Sequence, residues 1–215
     1  MKILIINPNS DEQTDERMRR KAAAFVHDAY GVAVTHVSST PKLMATMADA
    51  AAGLNEMMDI VKNGTEYDAF IVACHSDPNL DILKTITEKP VIGIAEASMK
   101  IASMFCNGFA VISPSERSIP MKWTLARKYY CGELYRGFAI CAENDDESLY
   151  EAAKRAVEQS HVDGIVLGCA NYTGADRYIE KRLGIKVFDG VACALMIASG
   201  MVMYKQYKTE GGTLC

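Results

Sequence analysis

The chain has 215 residues, of which 49% are hydrophobic and 23% charged, and its formal net charge is −4. This length and composition are typical of one globular domain, or of two small halves that share a core. The negative charge argues against nucleic acid or an anionic membrane as a partner.

No stretch approaches the roughly 18 apolar residues of a membrane-spanning helix, and the opening KILIINPNS is too short an apolar run for a signal peptide. We therefore expect a cytoplasmic protein. The seven cysteines stand at scattered spacings without a CxxC pair, and the four histidines do not cluster with them. In a reducing compartment, this pattern predicts neither a disulfide framework nor a metal site such as zinc.

The first half of the chain alternates strand and helix patterns. Residues 2–6, KILII, form a continuous apolar run, which is typical of a strand buried on both faces. Ser10 is predicted to begin the next helix, with Gln13 in place to complete a capping box. The further elements predicted in this half are a strand near 32–37, a helix over roughly 42–62 ending at Asn63-Gly64, strands over 69–73 and 91–94, and a helix over 95–105.

The pattern then restarts, which indicates an internal duplication. Residues 108–112, GFAVI, lead into Ser113-Pro114-Ser115, as the first strand leads into Asn7-Pro8-Asn9, at an offset of 106 (113 minus 7). The strand over 69–73 ends at Cys74, and its counterpart leads to Cys169, at an offset of 95 (169 minus 74). The strand and helix that follow each cysteine also repeat, as VIGIAEASMKIA and VFDGVACALMIA.

Repeated βαβ units imply parallel sheets that helices cover on both sides. We therefore predict an α/β fold of two similar half-domains, each a parallel sheet flanked by helices. A pseudo-twofold axis is expected to relate the halves, with the active site in the cleft between them. The first half is predicted to comprise 1–106 with 188–215, and the second 107–187. The tail after Tyr204 is expected to be frayed and solvated.

The repeated cysteines are the candidate catalytic residues. Cys74 and Cys169 follow buried strands, and ligands of parallel sheets bind outside the carboxyl ends of strands. A helix that begins shortly after each cysteine would lower the pKa of its thiol from the usual value near ~8.5. Two thiols on opposite sides of one molecule suit racemisation, because a thiolate removes a proton from one face and a thiol delivers one to the other. Free cysteines are otherwise typical core residues, and we expect that role for Cys106, Cys131, Cys141 and Cys193.

Six further residues are candidates for substrate binding: Asn9, His75, Ser76, Ser113, Ala170 and Asn171. Ser76 and the backbone N–H groups after each cysteine would stabilise an enolate oxygen, as in an oxyanion hole. Ser76 as a helix N-cap and Asn9 as a turn residue are the structural alternatives. A dyad of His75 with Cys74 is disfavoured, because adjacent residues of an extended segment point in opposite directions. Asp77 and Glu96 are expected either to tune Cys74 or to make structural hydrogen bonds.

At these residues the sequence resembles the aspartate/glutamate/hydantoin racemase superfamily, and within it the hydantoin racemase branch. The matching segments are INPNS (6–10), VACHSDPNL (72–80), PVIGIAEAS (90–98), GFAVIS (108–113), VLGCANYTG (166–174) and the closing strand with Asp189. The resemblance implies a two-half α/β fold, chemistry without a cofactor, Cys74 and Cys169 as acid/base thiols, and a homo-oligomer.

The sequence departs from the hydantoin branch at pocket positions. His75-Ser76 replaces Phe-Gly after the first cysteine, Asn171 replaces Gly after the second, and Thr40-Pro41 replaces Gly-Pro. The polar replacements favour a more hydrophilic ligand than an arylalkyl hydantoin, such as allantoin. No arginine lies within the motifs to hold a carboxylate through two parallel hydrogen bonds, which favours a neutral imide ring over an amino acid.

We therefore expect a racemase that needs no cofactor and acts on 5-substituted hydantoins or allantoin as its small-molecule partner. The alternatives within the superfamily are an aspartate or glutamate racemase, and a maleate-type isomerase in which one cysteine is a nucleophile. Decarboxylase members typically carry only one of the two thiols. A non-catalytic protein that binds a small ligand is the alternative from another class.

Overall fold

The computed structural model describes residues 1–44 and 46–210, and this part of the chain forms two compact units. Of the described residues, the first unit contains those within Met1–Ala73 and Pro78–Gly93 and those from Ala194 to Glu210. The second contains Cys74–Asp77 and Ile94–Cys193. The short segment with Cys74 therefore belongs to the same compact unit as Cys169.

The first unit is built on a parallel sheet of four strands in the order β2-β1-β3-β4. Its strands are β1 (Lys2–Asn7), β2 (Gly31–His36), β3 (Ala69–Val72) and β4 (Val91–Gly93). Its helices are α1 (Glu12–Val26), α2 (Met47–Ala52), α3 (Leu54–Asn63) and α4 (Leu80–Thr85). Apolar side chains of the strands pack with α3 and α4 in one core, as in the cluster of Ile6, Met57, Val72 and Leu83.

The second unit is built on a parallel sheet of four strands in the order β6-β5-β7-β8. Its strands are β5 (Phe109–Ser113), β6 (Tyr135–Ile140), β7 (Gly164–Leu167) and β8 (Lys186–Phe188). Its helices are α5 (Ile94–Phe105), α6 (Ile119–Lys128), α7 (Asp146–Ser160) and α8 (Asp176–Leu183), with single 3-10 turns at Glu116–Ser118 and Ala170–Tyr172. The last helix, α9 (Gly190–Glu210), begins in this unit and continues into the first.

The two sheets have equivalent strand orders, which supports the predicted internal repeat. In each, the first strand of the unit is central, and the strand that leads to a cysteine lies beside it. The central strands and the cysteine strands are buried almost throughout, as expected for parallel strands with helices on both faces. The prediction of two α/β halves with parallel sheets is confirmed, whereas the pseudo-twofold axis and the cleft stay predictions.

Three predicted boundaries were wrong. Helix α1 is capped by Asp11 rather than Ser10, because the Asp11 carboxylate accepts the backbone N–H of Gln13. The helix predicted over 42–62 is two helices, divided at Gly53, where an added Cβ would lie 2.7 Å from Cγ2 of Thr40. The tail expected to fray after Tyr204 is helical to Glu210, and residues 211–215 lie outside the described part of the chain.

Across residues 1–44 and 46–210, no helix is both long enough and apolar enough to cross a membrane.

Candidate active site

Cys74 and Cys169 open two turns of the same kind. Each cysteine follows a buried strand, and its carbonyl oxygen accepts the N–H of the residue three positions later: Asp77 at 2.9 Å and Tyr172 at 3.1 Å. Both thiols are half-buried and free, while the four other cysteines within the described residues are buried. The repeat seen in the sequence is therefore also a repeat of local geometry.

The residue before each cysteine makes the last ladder hydrogen bond of its strand. Ala73 donates to the carbonyl of Ile6 at 2.9 Å, and Gly168 donates to the carbonyl of Ile112 at 2.8 Å. At Gly168 the approach is too close for a side chain, since an added Cβ would lie 2.4 Å from the Ile112 oxygen. Each cysteine consequently lies just beyond the carboxyl end of its strand, which is where parallel sheets bind ligands.

The turns leave backbone donors beside the thiols. A four-residue turn uses the N–H of its last residue, so the N–H groups of the central residues, such as Ser76 and Ala170, are not used by the turn itself. The Ser76 hydroxyl lies 3.2 Å from the sulfur of Cys74. Ser76 is not a helix N-cap, because α4 begins only at Leu80 and is preceded by Asn79.

The thiol of Cys169 responds to opposing influences. Burial raises its pKa above the ordinary value, the backbone N–H of Asn171 lowers it, and negative charge at Cys74 raises it further. The ammonium group of Lys122 also lowers the pKa of Cys169. The two thiols therefore interact electrostatically with each other and with one buried cation. The helix expected a few residues after Cys74 is α4, which begins at Leu80. After Cys169 the 3-10 turn Ala170–Tyr172 comes first, and α8 follows from Asp176.

Lys122 is a functional candidate that sequence reasoning missed. It is only 4% exposed, and its Nζ lies 2.5 Å from the carbonyl oxygen of His75, 2.8 Å from that of Gly168 and 3.0 Å from Nδ1 of His75. One ammonium group thus contacts the residue after Cys74 and the residue before Cys169. A signal was present in the sequence, because Ile119, Lys122 and Leu125 share the helical spacing of the buried face of α6.

His75 lies beneath the first cysteine turn, where it is only 2% exposed and both of its ring nitrogens contact protein groups. Nδ1 faces Lys122, and Nε2 lies 3.2 Å from the hydroxyl of Ser98. Burial lowers the pKa of His75 well below its usual value, and the charge of Lys122 lowers it further. The ring is therefore neutral near pH 7 and is not directed to Cys74 as a base. A contact between His75 and substrate stays a prediction. It is not favoured, because both ring nitrogens already contact Lys122 and Ser98.

Asp77 joins the first cysteine turn to α5. Its carboxylate accepts the N–H of Ala95 at 3.0 Å, the N–H of Glu96 at 2.8 Å and the hydroxyl of Tyr129 at 2.6 Å. Asp77 itself has a positive φ of 46°, an unfavourable conformation for a residue with a side chain. These hydrogen bonds hold the turn in that conformation. Burial raises the pKa of Asp77 to about 6, against the opposing effect of Tyr129 and the two N–H groups.

The remaining predicted binding residues occupy different surroundings. Ser113 ends β5, is fully buried and contacts the hydroxyl of Ser118. Ala170 is buried and Asn171 half-buried, both in the 3-10 turn after Cys169. Asn9 belongs to the first unit, where its side chain accepts the N–H of Asp11 at 3.0 Å. Substrate contacts of these residues stay predictions.

Asp189 stabilises the second cysteine segment. Its carboxylate accepts the N–H of Gly174 at 2.8 Å and that of Val191, also at 2.8 Å, so it connects the chain after Cys169 to the start of α9.

In the described part of the chain, no three histidine, cysteine or acidic side chains are grouped so that they would hold a metal ion.

Comparison with known proteins identifies the family. The sequence profile described as Asp/Glu/hydantoin racemase matches residues 3–198. The chain belongs to the Asp/Glu/hydantoin racemase family. This is a group of racemases and isomerases that work without a cofactor, so the chain is an isomerase of the racemase class.

Individual relatives agree with this assignment. The hydantoin racemase of Paenarthrobacter aurescens is 30% identical over 217 residues, covering 94% of this chain and 91% of that protein. The hydantoin racemase of Pseudomonas sp. (strain NS671) is 29% identical, covering 94% of this chain and 86% of that protein. The solved structure of allantoin racemase from Klebsiella pneumoniae matches with a TM-score of 0.88 at 23% identity, covering 95% of this chain and 89% of that one. At that identity the structural match shows the shared fold.

Proposed function

We propose that this racemase inverts the acidic carbon of a 5-substituted hydantoin or of allantoin, with Cys74 and Cys169 as its two acid/base groups. The observation that carries the proposal is the repeated turn: two half-buried free thiols, each at the carboxyl end of a buried parallel strand and each followed by backbone donors. A protein that only binds a ligand has no need of two such thiols.

The proposed reaction moves two protons. The thiolate of one cysteine removes the proton from the ring carbon, and the electron pair of the broken C–H bond passes into the adjacent carbonyl to form an enolate. The thiol of the other cysteine gives its proton to the opposite face of that carbon. The enzyme then holds the thiol and thiolate in exchanged positions, and catalysis in the reverse direction restores them.

Backbone donors of the two turns would stabilise the enolate. The N–H groups of Ser76 and Ala170 are not used within their turns, and such fixed donors stabilise an oxygen that gains negative charge in the transition state. Removing one donor of this kind typically slows a reaction by about 10²–10³-fold. The Ser76 hydroxyl lies beside the Cys74 thiol, and Asn171 is a polar residue of the 3-10 turn after Cys169. Such polar residues suit a hydrophilic ring such as allantoin.

The surroundings of the cation favour a neutral substrate. The three donors of the Lys122 ammonium group are directed at three protein acceptors, so this group is not available to bind a substrate carboxylate. The names of the two curated relatives described above, both hydantoin racemases, point to the same substrate class. The homo-oligomer and the cytoplasmic location expected from the sequence stay predictions.

A substrate panel tests the proposal. The wild-type protein, Cys74→Ser and Cys169→Ser are each incubated with single enantiomers of several 5-substituted hydantoins, allantoin, aspartate and glutamate. Optical rotation is followed for each compound. Maleate is assayed separately for conversion to its trans isomer. We expect rotation to decay for a hydantoin or for allantoin, and each substitution to slow it by at least about 10²-fold.

The other outcomes are distinct. Racemisation of aspartate or glutamate alone would show that the substrate is an amino acid rather than a hydantoin or allantoin. Isomerisation of maleate alone would indicate that a cysteine acts as a nucleophile. Activity that survives Cys74→Ser or Cys169→Ser at the wild-type rate would contradict the roles assigned to the thiols. Cys193→Ser, at a buried cysteine of α9, is the matched control and is expected to racemise like the wild type.

A further inference from the structure

We propose that Lys122 is a positioning residue that joins both cysteine turns and supplies the fixed positive charge that stabilises a thiolate at either one. This inference rests on the proposed function, because it assigns the source of the charge that two-base catalysis by cysteine requires.

The contacts of Lys122 show that its side chain is an ammonium group. Two of the three acceptors around Nζ are carbonyl oxygens, of His75 and Gly168, which cannot donate a hydrogen. The third contact of Nζ is with Nδ1 of His75, which accepts when the hydrogen of the ring is on Nε2. A neutral amine has only two hydrogens to donate, whereas an ammonium group has three and satisfies all three acceptors.

The partners of His75 determine which of its ring nitrogens carries the hydrogen. The hydroxyl of Ser98 donates its only hydrogen to the carbonyl of Ile94 at 2.7 Å, so its oxygen accepts from Nε2–H of His75. Nδ1 is then unprotonated and accepts from Lys122. The hydrogen-bond chain from Lys122 to the first turn of α5 is thus complete, with a donor and an acceptor at every step.

Lys122 lies where a charge affects both thiols. Its partners directly follow Cys74 and directly precede Cys169, and negative charge at either cysteine stabilises the protonated lysine against the burial that lowers its pKa. The other charged group that acts on it is Asp77, which Tyr129 and the start of α5 hold in place and on which Glu96 acts in turn. In racemisation the thiolate alternates between the two cysteines, so one cation connected to both turns serves both directions of the reaction.

Buried lysines are rare, which makes a purely structural explanation weak. Lysine is almost never fully buried unless it is paired, and a methionine or leucine is the ordinary residue at a buried position of a helix such as α6. A charge retained at such a cost is typical of functional sites. Its three partners satisfy its hydrogen bonds, and the negative charges that raise its pKa against burial are those of the two thiolates and of Asp77.

The test measures thiol reactivity and needs no substrate. Lys122→Gln keeps two amide hydrogens for the two carbonyls and removes the charge. Alkylation by iodoacetamide is followed across pH, with mass spectrometry of the peptides that contain Cys74 and Cys169. We expect alkylation of both peptides near neutral pH to become slower. For Cys169 we expect the profile to move to higher pH, and its alkylation to slow about tenfold for each pH unit of that movement. Lys154→Gln, at an exposed lysine of α7, is the matched control and is expected to react like the wild type.

Each outcome decides the proposal. A lower melting temperature of Lys122→Gln with unchanged alkylation profiles would overturn it, because a merely structural role lowers stability without moving a thiol titration. Slower alkylation without racemase activity on any compound would support the role of Lys122 while rejecting the proposed function. Should Lys122→Gln not fold, the wild-type protein labelled with ¹⁵N-lysine provides the test: the Lys122 Nζ resonance is expected in the ammonium range near neutral pH, and a neutral amine would overturn the proposal.

Discussion

At the scale of single residues, the repeat in the sequence identified the two thiols, and the structure identified what surrounds them. Cys74 and Cys169 could be predicted because each follows a buried strand in a repeated motif. Lys122 could not be predicted with the same force, because a lysine in the middle of a mixed helix is usually exposed, and only its spacing to Ile119 and Leu125 indicated otherwise. The role of His75 also depended on a tertiary contact, since its partner Lys122 is 47 residues away in the sequence.

Asp77 leads to a prediction about pH and stability. Its folded-state pKa of about 6 lies above the ordinary 3.8, so its contribution to stability is complete below about pH 4 and is lost as the pH rises through 6. In Asp77→Asn this titration is absent. We expect the free energy of unfolding of the wild type, relative to that of Asp77→Asn, to fall between about pH 4 and pH 7 by up to about 3 kcal/mol.

Urea denaturation across this pH range provides the measurement. Asp59→Asn, at an exposed aspartate of α3, is the control for the same substitution outside the site. A relative stability that rises with pH would mean that the hydrogen bonds to Tyr129 and to the start of α5 outweigh the burial of Asp77.

At the scale of elements, strands were predicted more accurately than helix boundaries. A continuous apolar run has one explanation in a parallel sheet, so β1 and β3 were found to within one residue. Helix boundaries depend on which of several capping residues makes the hydrogen bond. At α1 the capping residue is Asp11, although Ser10 is an equally good capping residue by type. At Gly53 the helix is divided where Thr40 approaches closely, and this tertiary contact cannot be found from the periodicity of the sequence.

The cap of α1 can be tested with two neighbouring substitutions. Asp11→Ala removes the acceptor for the N–H of Gln13 and for the hydroxyl of Thr14, and is expected to lower the free energy of unfolding by about 1 kcal/mol. Ser10→Ala is expected to change it by less than about 0.5 kcal/mol. Chemical denaturation measures both, and a larger loss for Ser10→Ala would show that the helix begins as the sequence first indicated.

Gly168 is the element-scale position most closely tied to the site. Alanine there would place Cβ against the Ile112 carbonyl and the Val111 side chain, so we expect Gly168→Ala to lower the free energy of unfolding by about 1–3 kcal/mol. Racemisation should also slow, because the backbone must move to relieve this contact and thereby displaces the adjacent Cys169. Gly200→Ala is the matched control. An added Cβ at this exposed position of α9 meets nothing within 4 Å, and the substitution is expected to raise stability by about 0.5–1 kcal/mol. Equal effects of the two substitutions would contradict the close approach at Gly168.

At the scale of the whole molecule, the repeat organises the protein. Two sheets with equivalent strand orders carry the same strand, cysteine and turn sequence, which is why one sequence was sufficient to predict the α/β class and its two halves. The exact composition of the compact units could not be predicted from the sequence, because the segment Cys74–Asp77 is assigned by its contacts with α5 and α6 rather than by its neighbours in the chain. Family membership then supplies the racemase class, and the site supplies the proposed chemistry.

The central claim is that two thiols transfer protons on opposite faces of one carbon, and the placement of deuterium tests it most directly. A single enantiomer of the preferred hydantoin or of allantoin is incubated in D2O, and the early reaction mixture is separated by chiral chromatography and analysed by NMR or mass spectrometry. Two-base transfer predicts that the newly formed enantiomer carries deuterium at the inverted carbon while the remaining starting enantiomer does not, from either direction. Product that retains its original hydrogen, or starting enantiomer that exchanges as fast as product forms, would indicate one base and contradict the two-thiol mechanism.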